Sequence, residues 1–234
     1  TTRIALIFGL LLAAGAAGAE GASGNPTPGE LAEFFDTIVP ELMREHHVAG
    51  AVVGVADRSE VLLLRGYGQA DLEAGKAVDP QVTLFQAGSI SKLFTWTAVM
   101  QLEEQGLLRL EDPVQMYLDF RLPETFAQPV RIVDLMNHTP GFEDRLIGLM
   151  VQDYRRHVSL REALTRRIPR RVRPSGEEVS YSNYRAMLAG YVVQRLSGMP
   201  YEEYVEAKIF QPLGMSRSSF RQPLPPQLAP DMAR

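Results

Sequence analysis

Two apolar runs, AGAVVGVAD over 49–57 and EVLLLRGYG over 60–68, flank the turn Arg58-Ser59. They read as a β-hairpin in a largely buried sheet. A lone two-stranded hairpin is at best marginally stable in water, so this pair constrains everything else. Either the rest of the chain covers it with helices, or the strands that complete it lie beyond residue 234. Gly66 and Gly68 stand where a strand admits a bulge or a close neighbour. Before the hairpin, Leu31, Phe34, Phe35, Ile38, Leu42 and Met43 recur near a 3.6-residue period and predict a helix from about Pro28 to His47. A second helix is expected from Ser89 to Gln105, with Gly106 as its C-terminal stop. After Asp112-Pro113 the chain reads as helix and loop, with helices near 130–137, 145–168, 183–197 and 200–210.

The N-terminal stretch is of a different kind. Arg3 precedes a 16-residue run of apolar and small residues, Ile4–Ala19, that ends Ala17-Gly18-Ala19. That run is rich in Ala and Gly and short of the roughly 20 residues that span a bilayer. Residues 1–19 are therefore expected to be a cleaved signal peptide rather than an anchor, followed by a Gly/Pro-rich linker over 20–29. The remainder, 30–234, is expected to form the working domain, with its sheet hairpin at about 49–70 and a helical lobe at about 107–220. Export to the periplasm or the extracellular space follows from the signal.

Composition narrows the chemistry. There is no cysteine, which removes disulfide scaffolds, thiol nucleophiles and Cys-ligated metals. Histidines fall at 46, 47, 138 and 157 and lack the spacing of a helical zinc site, so the sequence gives a metalloenzyme no support. Neither a metal nor an organic cofactor is expected. A net charge of −4 gives no electrostatic footprint for nucleic acid. A small-molecule or peptide substrate is the expected partner, with no membrane span after signal cleavage. Lysine occurs only at 76, 92 and 208, and Arg supplies 21 of the 24 basic residues. A lysine in such a chain raises the question whether the chemistry there needs an amine able to lose its proton, which arginine cannot do.

Three local patterns carry candidate chemistry. In Ser89-Ile90-Ser91-Lys92 the hydroxyl opens the expected helix, at the positive end of its dipole, and the amine lies one turn on along the same face. A serine is a weak nucleophile until something accepts its proton, and a buried lysine helps to do so. The bland alternative is a helix cap followed by a solvated lysine. In Tyr181-Ser182-Asn183 a phenol becomes a usable base only beside a positive charge, and the amide is suited to hold both a substrate amide and an ammonium. Alone, it is equally an aromatic core residue with a cap. In Leu135-Met136-Asn137-His138-Thr139-Pro140-Gly141, His138 invites a Ser–His reading with Asp134 or Asp144 as the orienting carboxylate. The favoured reading is a buried helix end, with His138 and Thr139 satisfying backbone groups and Pro-Gly stopping the helix. No serine lies in a G-x-S-x-G elbow. Eight arginines between 155 and 173 read first as a solvated face, and otherwise as a rim attracting anions.

Taken together and in this order, S-I-S-K, L-M-N-H-T-P-G-F and Y-S-N, with V-M-Q-L-E-E-Q-G-L-L-R-L-E-D-P-V and I-F-Q-P-L-G-M, resemble the β-lactamase-related serine hydrolases. That group holds class C β-lactamases, D-alanyl-D-alanine carboxypeptidases and related esterases, and the resemblance runs from about residue 30 to 220. It implies an α/β sheet domain packed on a helical lobe, the penicillin-binding-protein-like fold. It implies acylation on Ser89, with Lys92 holding the proton network and Tyr181 as general base and acid. Asn183 would bind the substrate amide and fix Lys92, and the Ser89 backbone N–H would form half of the oxyanion hole. His138 would be structural.

One expected piece is missing. The family's third motif, Lys or His, a small residue, then Gly, has no match after Tyr181. The expectation is therefore a fold cut before its C-terminal strands, so that the segment alone is inactive or poorly folded. The alternative function is a non-catalytic envelope protein that uses the same fold for binding or regulation.

Overall fold

The computed structural model describes residues 25–58, 60–145 and 157–234. The expected signal at 1–19 lies outside them. The chain divides into two units, one running up to Phe85 and taking in Leu228–Arg234, the other Gln86–Gln227.

In the first unit, helix α1 (Pro28–Glu45) begins at a reciprocal cap. The Thr27 hydroxyl accepts from the Glu30 N–H, and the Glu30 carboxylate accepts from the Thr27 N–H at 2.8 Å. The hairpin forms as β1 (Gly50–Asp57) and β2 (Glu60–Asp71), antiparallel, with Gly50 opposite Gly68. A short β3 (Lys76–Ala77) adds to the far side of β2. Gly68, at φ 69°, has no room for a side chain: a Cβ there would lie 2.2 Å from the Ala49 carbonyl oxygen. At Gly66 a Cβ would meet the Val78 carbonyl at 2.6 Å. α1 packs on β2, and the Tyr67 hydroxyl donates to Asp36 at 2.7 Å. The last residues return to this unit, where Ala233 N–H bonds the Leu84 carbonyl and Arg234 N–H the Ala70 carbonyl.

The expectation of a largely buried sheet is not met. In β1 and β2 only Leu63 and Ala70 are buried, and Val61 is 67% exposed. The strands are apolar toward both faces, but among the described residues of this unit α1 is the one helix that packs on them.

The second unit is built around helix α5 (Asn183–Ser197), which lies over 183–197 as expected and ends at Gly198, φ 69°. Leu188, Ala189, Tyr191, Val192 and Val193 are buried along it. Around it pack α2 (Lys92–Glu104), α3 (Ile132–Met136), α4 (Leu160–Arg166) and α6 (Tyr201–Val205). α6 continues as a π-helical turn over Glu206–Phe210. Ala98, Val99, Leu102, Ile132, Leu135, Leu164 and Val205 complete the core. This unit begins at Gln86, earlier than the helical lobe expected from about 107, so α2 belongs to it.

Two of the expected helices differ in extent. The long helix over 145–168 is only Leu160–Arg166 among the described residues, started by Ser159, whose hydroxyl accepts from Glu162 N–H. Residues 146–156 lie outside the described part. The helix before His138 ends at Met136, four residues ahead of the Pro-Gly pair held to stop it, with Asn137 at its cap and His138 turned left-handed at φ 64°.

Candidate active site

Ser89 lies in a 3₁₀ turn, Gly88–Ser91, that runs directly into α2. This tighter turn stands where the sequence predicts the first α-helical turn. Gly88, at φ 54°, opens it in a conformation that costs a glycine little. Lys92, the first residue of α2, follows three positions later, and its Nζ donates to Ser89 Oγ at 3.0 Å.

Tyr181 and Asn183 arrive from the start of α5, and the chain before them is tied down along its length. Val172 N–H bonds the Gly141 carbonyl, Gly176 N–H the Thr139 carbonyl and Ser180 N–H the His138 carbonyl. Gly141 makes the first of these contacts close: at φ 77°, a Cβ would sit 2.1 Å from the Arg173 carbonyl oxygen. Ser182, fully buried and extended, stands at the N-cap position of α5 and turns its hydroxyl to the Glu143 carbonyl.

These supports bring together side chains separated by 92 positions. Ser89 Oγ and the Tyr181 hydroxyl are 2.5 Å apart. Lys92 Nζ donates to Ser89, to the Tyr181 hydroxyl and, at 3.0 Å, to Asn183 Oδ1. An ammonium has three N–H donors, and here each has an acceptor. Asn183 is oriented in turn by Asp144, whose Oδ1 accepts from its backbone N–H at 2.9 Å; its side-chain amide approaches the same carboxylate at 3.5 Å. Burial pushes the Tyr181 phenol up, but the hydrogen bonds from Lys92 and Ser89, with the charges of Lys92 and Arg185, bring it below the ordinary phenol value. The site thus holds a hydroxyl, a phenol poised to lose its proton, and an amine contacting both. Such a set is suited to activating an alcohol for attack on a carbonyl. A cavity of about 220 Å³ adjoins Lys92 and Asn183, with Leu160, Met187, Tyr201 and Phe220 on its wall. Among the described residues no three His, Asp or Glu side chains are grouped to hold a metal.

The structure therefore unites the four sequence candidates Ser89, Lys92, Tyr181 and Asn183. It does not make His138 a partner of Ser89. The His138 ring stacks on Tyr181, centroids 4.9 Å apart, and its Nε2 meets the Arg185 guanidinium. The two carboxylates that could have oriented it are engaged elsewhere: Asp134 with Arg131 at 3.1 Å, and Asp144 with Asn183. His138 is structural, but its side chain holds another side chain instead of capping backbone. Sequence reasoning missed the Asp144–Asn183 tie and Arg185. The second had a visible signal: positions 185, 188, 189 and 192 follow the core-facing stripe of α5, and an arginine stands on it.

The Beta-lactamase family model matches residues 35–233. The chain belongs to that family. The chain is 33% identical to esterase EstB of Burkholderia gladioli over 216 residues, covering 85% of this chain and 54% of the relative. It is 30% identical to a putative penicillin-binding protein, PbpX, of Bacillus subtilis (strain 168), covering 71% of this chain and 40% of that one. Among solved structures, the octameric penicillin-binding protein homologue from Pyrococcus abyssi superposes with a TM-score of 0.74 at 28% identity, covering 86% of this chain and 47% of that chain. The fold is accordingly that of penicillin-binding proteins and β-lactamases. The chain spans roughly half the length of these relatives.

Proposed function

We propose that this chain carries the nucleophile and the proton-transfer groups of an exported serine hydrolase. The substrate class is an ester, a β-lactam or a D-Ala-D-Ala-type amide. The observation that carries the reading is the convergence of Ser89, Lys92, Tyr181 and Asn183 within hydrogen-bond distance.

In this reading Tyr181, as phenolate, takes the Ser89 proton while Oγ attacks the substrate carbonyl carbon. The backbone N–H of Ser89 donates to the oxyanion that forms. Tyr181 then gives the proton to the leaving oxygen or nitrogen as its bond to carbon breaks, leaving an ester on Ser89. Water attacks that ester with the same phenol as base, and Ser89 regains its proton. Lys92 keeps negative charge on the phenol stable and holds it against Ser89. Asn183, fixed by Asp144, positions Lys92 and offers its amide to the substrate. Each proton removed is returned within the cycle, so no cofactor is called for. Export rests on the charged and apolar N-terminal pattern of residues 3–19.

The test is covalent capture with the full-length protein. After incubation with a chromogenic penicillin and, separately, with p-nitrophenyl butyrate, intact-mass measurement should show one acyl adduct, mapped to Ser89 by peptide fragmentation. Turnover of either compound should vanish in Ser89→Ala. Activity retained in that variant overturns the reading, and the faster of the two compounds separates lactamase from esterase.

A further inference from the structure

Behind the Tyr181 phenol lies a buried charge that this cycle does not use. Arg185, on the first turn of α5, is fully buried. Its guanidinium donates from one nitrogen to the Leu135 carbonyl and from another to His138 Nε2. It lies 5.0 Å from the ring centre of Trp96 and 5.5 Å from that of Tyr181. Among the described residues no carboxylate pairs with it, and its Nε has no hydrogen-bond partner. Burying a cation without a counter-ion is costly. Burial pushes the pKa of Arg185 down to about 10, and the charge that offsets this is the one Tyr181 acquires on ionising.

The contact with His138 fixes the state of that ring as well. Arginine only donates, so Nε2 accepts, and the imidazole is neutral with its proton on Nδ1. Burial first, then the charges of Arg185 and Lys92, hold His138 below the usual histidine value. A neutral ring stacked on the phenol at 4.9 Å adds no charge of its own. The groups facing Tyr181 are thus Lys92 from α2, Ser89 from the 3₁₀ turn, Asn183 and Arg185 from α5, and His138 from the loop after α3. The Asp144 carboxylate is hydrogen-bonded to Asn183. Lys92 acts at the phenol oxygen and lies 4.8 Å from the ring centre, while Arg185 approaches the ring from within the core, where a cation is attracted to the π electrons and more strongly to those of a phenolate.

We propose that Arg185, anchored by His138 and the Leu135 carbonyl, is a positioning residue that makes Tyr181 a base. It holds the ring in place and favours its ionised form. This rests on the reading of Tyr181 as the proton acceptor for Ser89.

The test is a spectroscopic titration that needs no turnover. In full-length protein, the near-ultraviolet tyrosinate absorbance is followed against pH for the parent, Arg185→Met and Arg185→Lys. Each is paired with its Tyr181→Phe counterpart so that the difference reports one phenol. Arg185→Met should raise the Tyr181 midpoint by about one pH unit, and Arg185→Lys by less. The acid limb of kcat/KM should move upward with it, for about tenfold less activity at neutral pH. A folded Arg185→Met protein with an unmoved midpoint overturns the proposal and leaves a core hydrogen-bonding role. If Arg185→Met does not fold, His138→Phe decides, since it keeps an aromatic face on Tyr181 and removes the acceptor for Arg185. An upward shift then supports the proposal and an unchanged midpoint overturns it. A hydrolase that persists in Ser89→Ala would sink the catalytic reading without touching this titration.

Discussion

At the scale of single residues, the proposed chemistry rests on four groups of ordinary reactivity that alter one another. The Tyr181 phenol accepts a hydrogen bond from Lys92, shares one with Ser89, and is brought below its usual pKa. Its basic form therefore appears at lower pH than in a free tyrosine, and kcat/KM should climb with pH along an acid limb set by that ionisation. A profile flat across that range would speak against Tyr181 as the base. Tyr181→Phe keeps the ring and its stacking on His138 but removes the proton acceptor, and should lower kcat by about 10²–10⁴-fold. Lys92→Arg keeps the charge. It should nearly abolish acylation, because a planar fork cannot place its donors on Ser89, Tyr181 and Asn183 as a compact ammonium does. Acylation by Lys92→Arg at the parental rate, read as a burst of released product, would remove the amine from the mechanism.

At the scale of elements, what matters is how the chain before α5 is held. Gly141 takes φ 77° with the Arg173 carbonyl against the place of a Cβ. Gly141→Ala should cost about 1–3 kcal/mol from backbone strain alone and loosen the segment leading to Tyr181. The check is a urea midpoint together with kcat, and an unchanged midpoint would mean that the strand-like contact is dispensable. His138 adds a pH dependence. Unfolded, it binds a proton near the usual histidine value of about 6.5. In the folded chain burial, Arg185 and Lys92 hold its pKa lower. As pH falls below about 6.5 the unfolded state takes up the proton first, so stability contributed by the neutral ring is lost toward acid. Melting temperature should fall in that window, and fall less steeply in His138→Gln.

At the scale of the whole molecule, the arginine-rich stretch illustrates how charge is used. Arg161 pairs with Asp119 at 2.9 Å, Arg166 with Glu162 and Arg173 with Glu178. Arg171 is buried against the Gln128 carbonyl and Ser175. Among the described residues these four arginines are thus engaged in holding the helical unit together; Arg155 and Arg156 lie outside the described residues. An anion-attracting rim needs free charge, so kcat/KM on an anionic penicillin should change less than about twofold between low and physiological salt. A steep fall with salt would restore the rim.

Local physics makes part of this protein legible from its residues alone. The reach of Lys92 to Ser89 is a property of three residues of helix, so spacing reveals it. The span of α5 follows from its apolar period and its glycine stop. The hairpin and the glycines it needs follow from β-forming runs around a turn. The rest depends on contacts between positions far apart in the chain. Tyr181 meets Ser89 only because the loop after α3 is stitched to the segment before α5 by backbone bonds that no side-chain pattern announces. The same is true of Asp144 on Asn183 and of Arg185 on His138. Periodicity tells which face of an element is apolar, but only packing decides what that face meets. The exposed apolar side chains of β2 and the buried arginine of α5 are where the two differ.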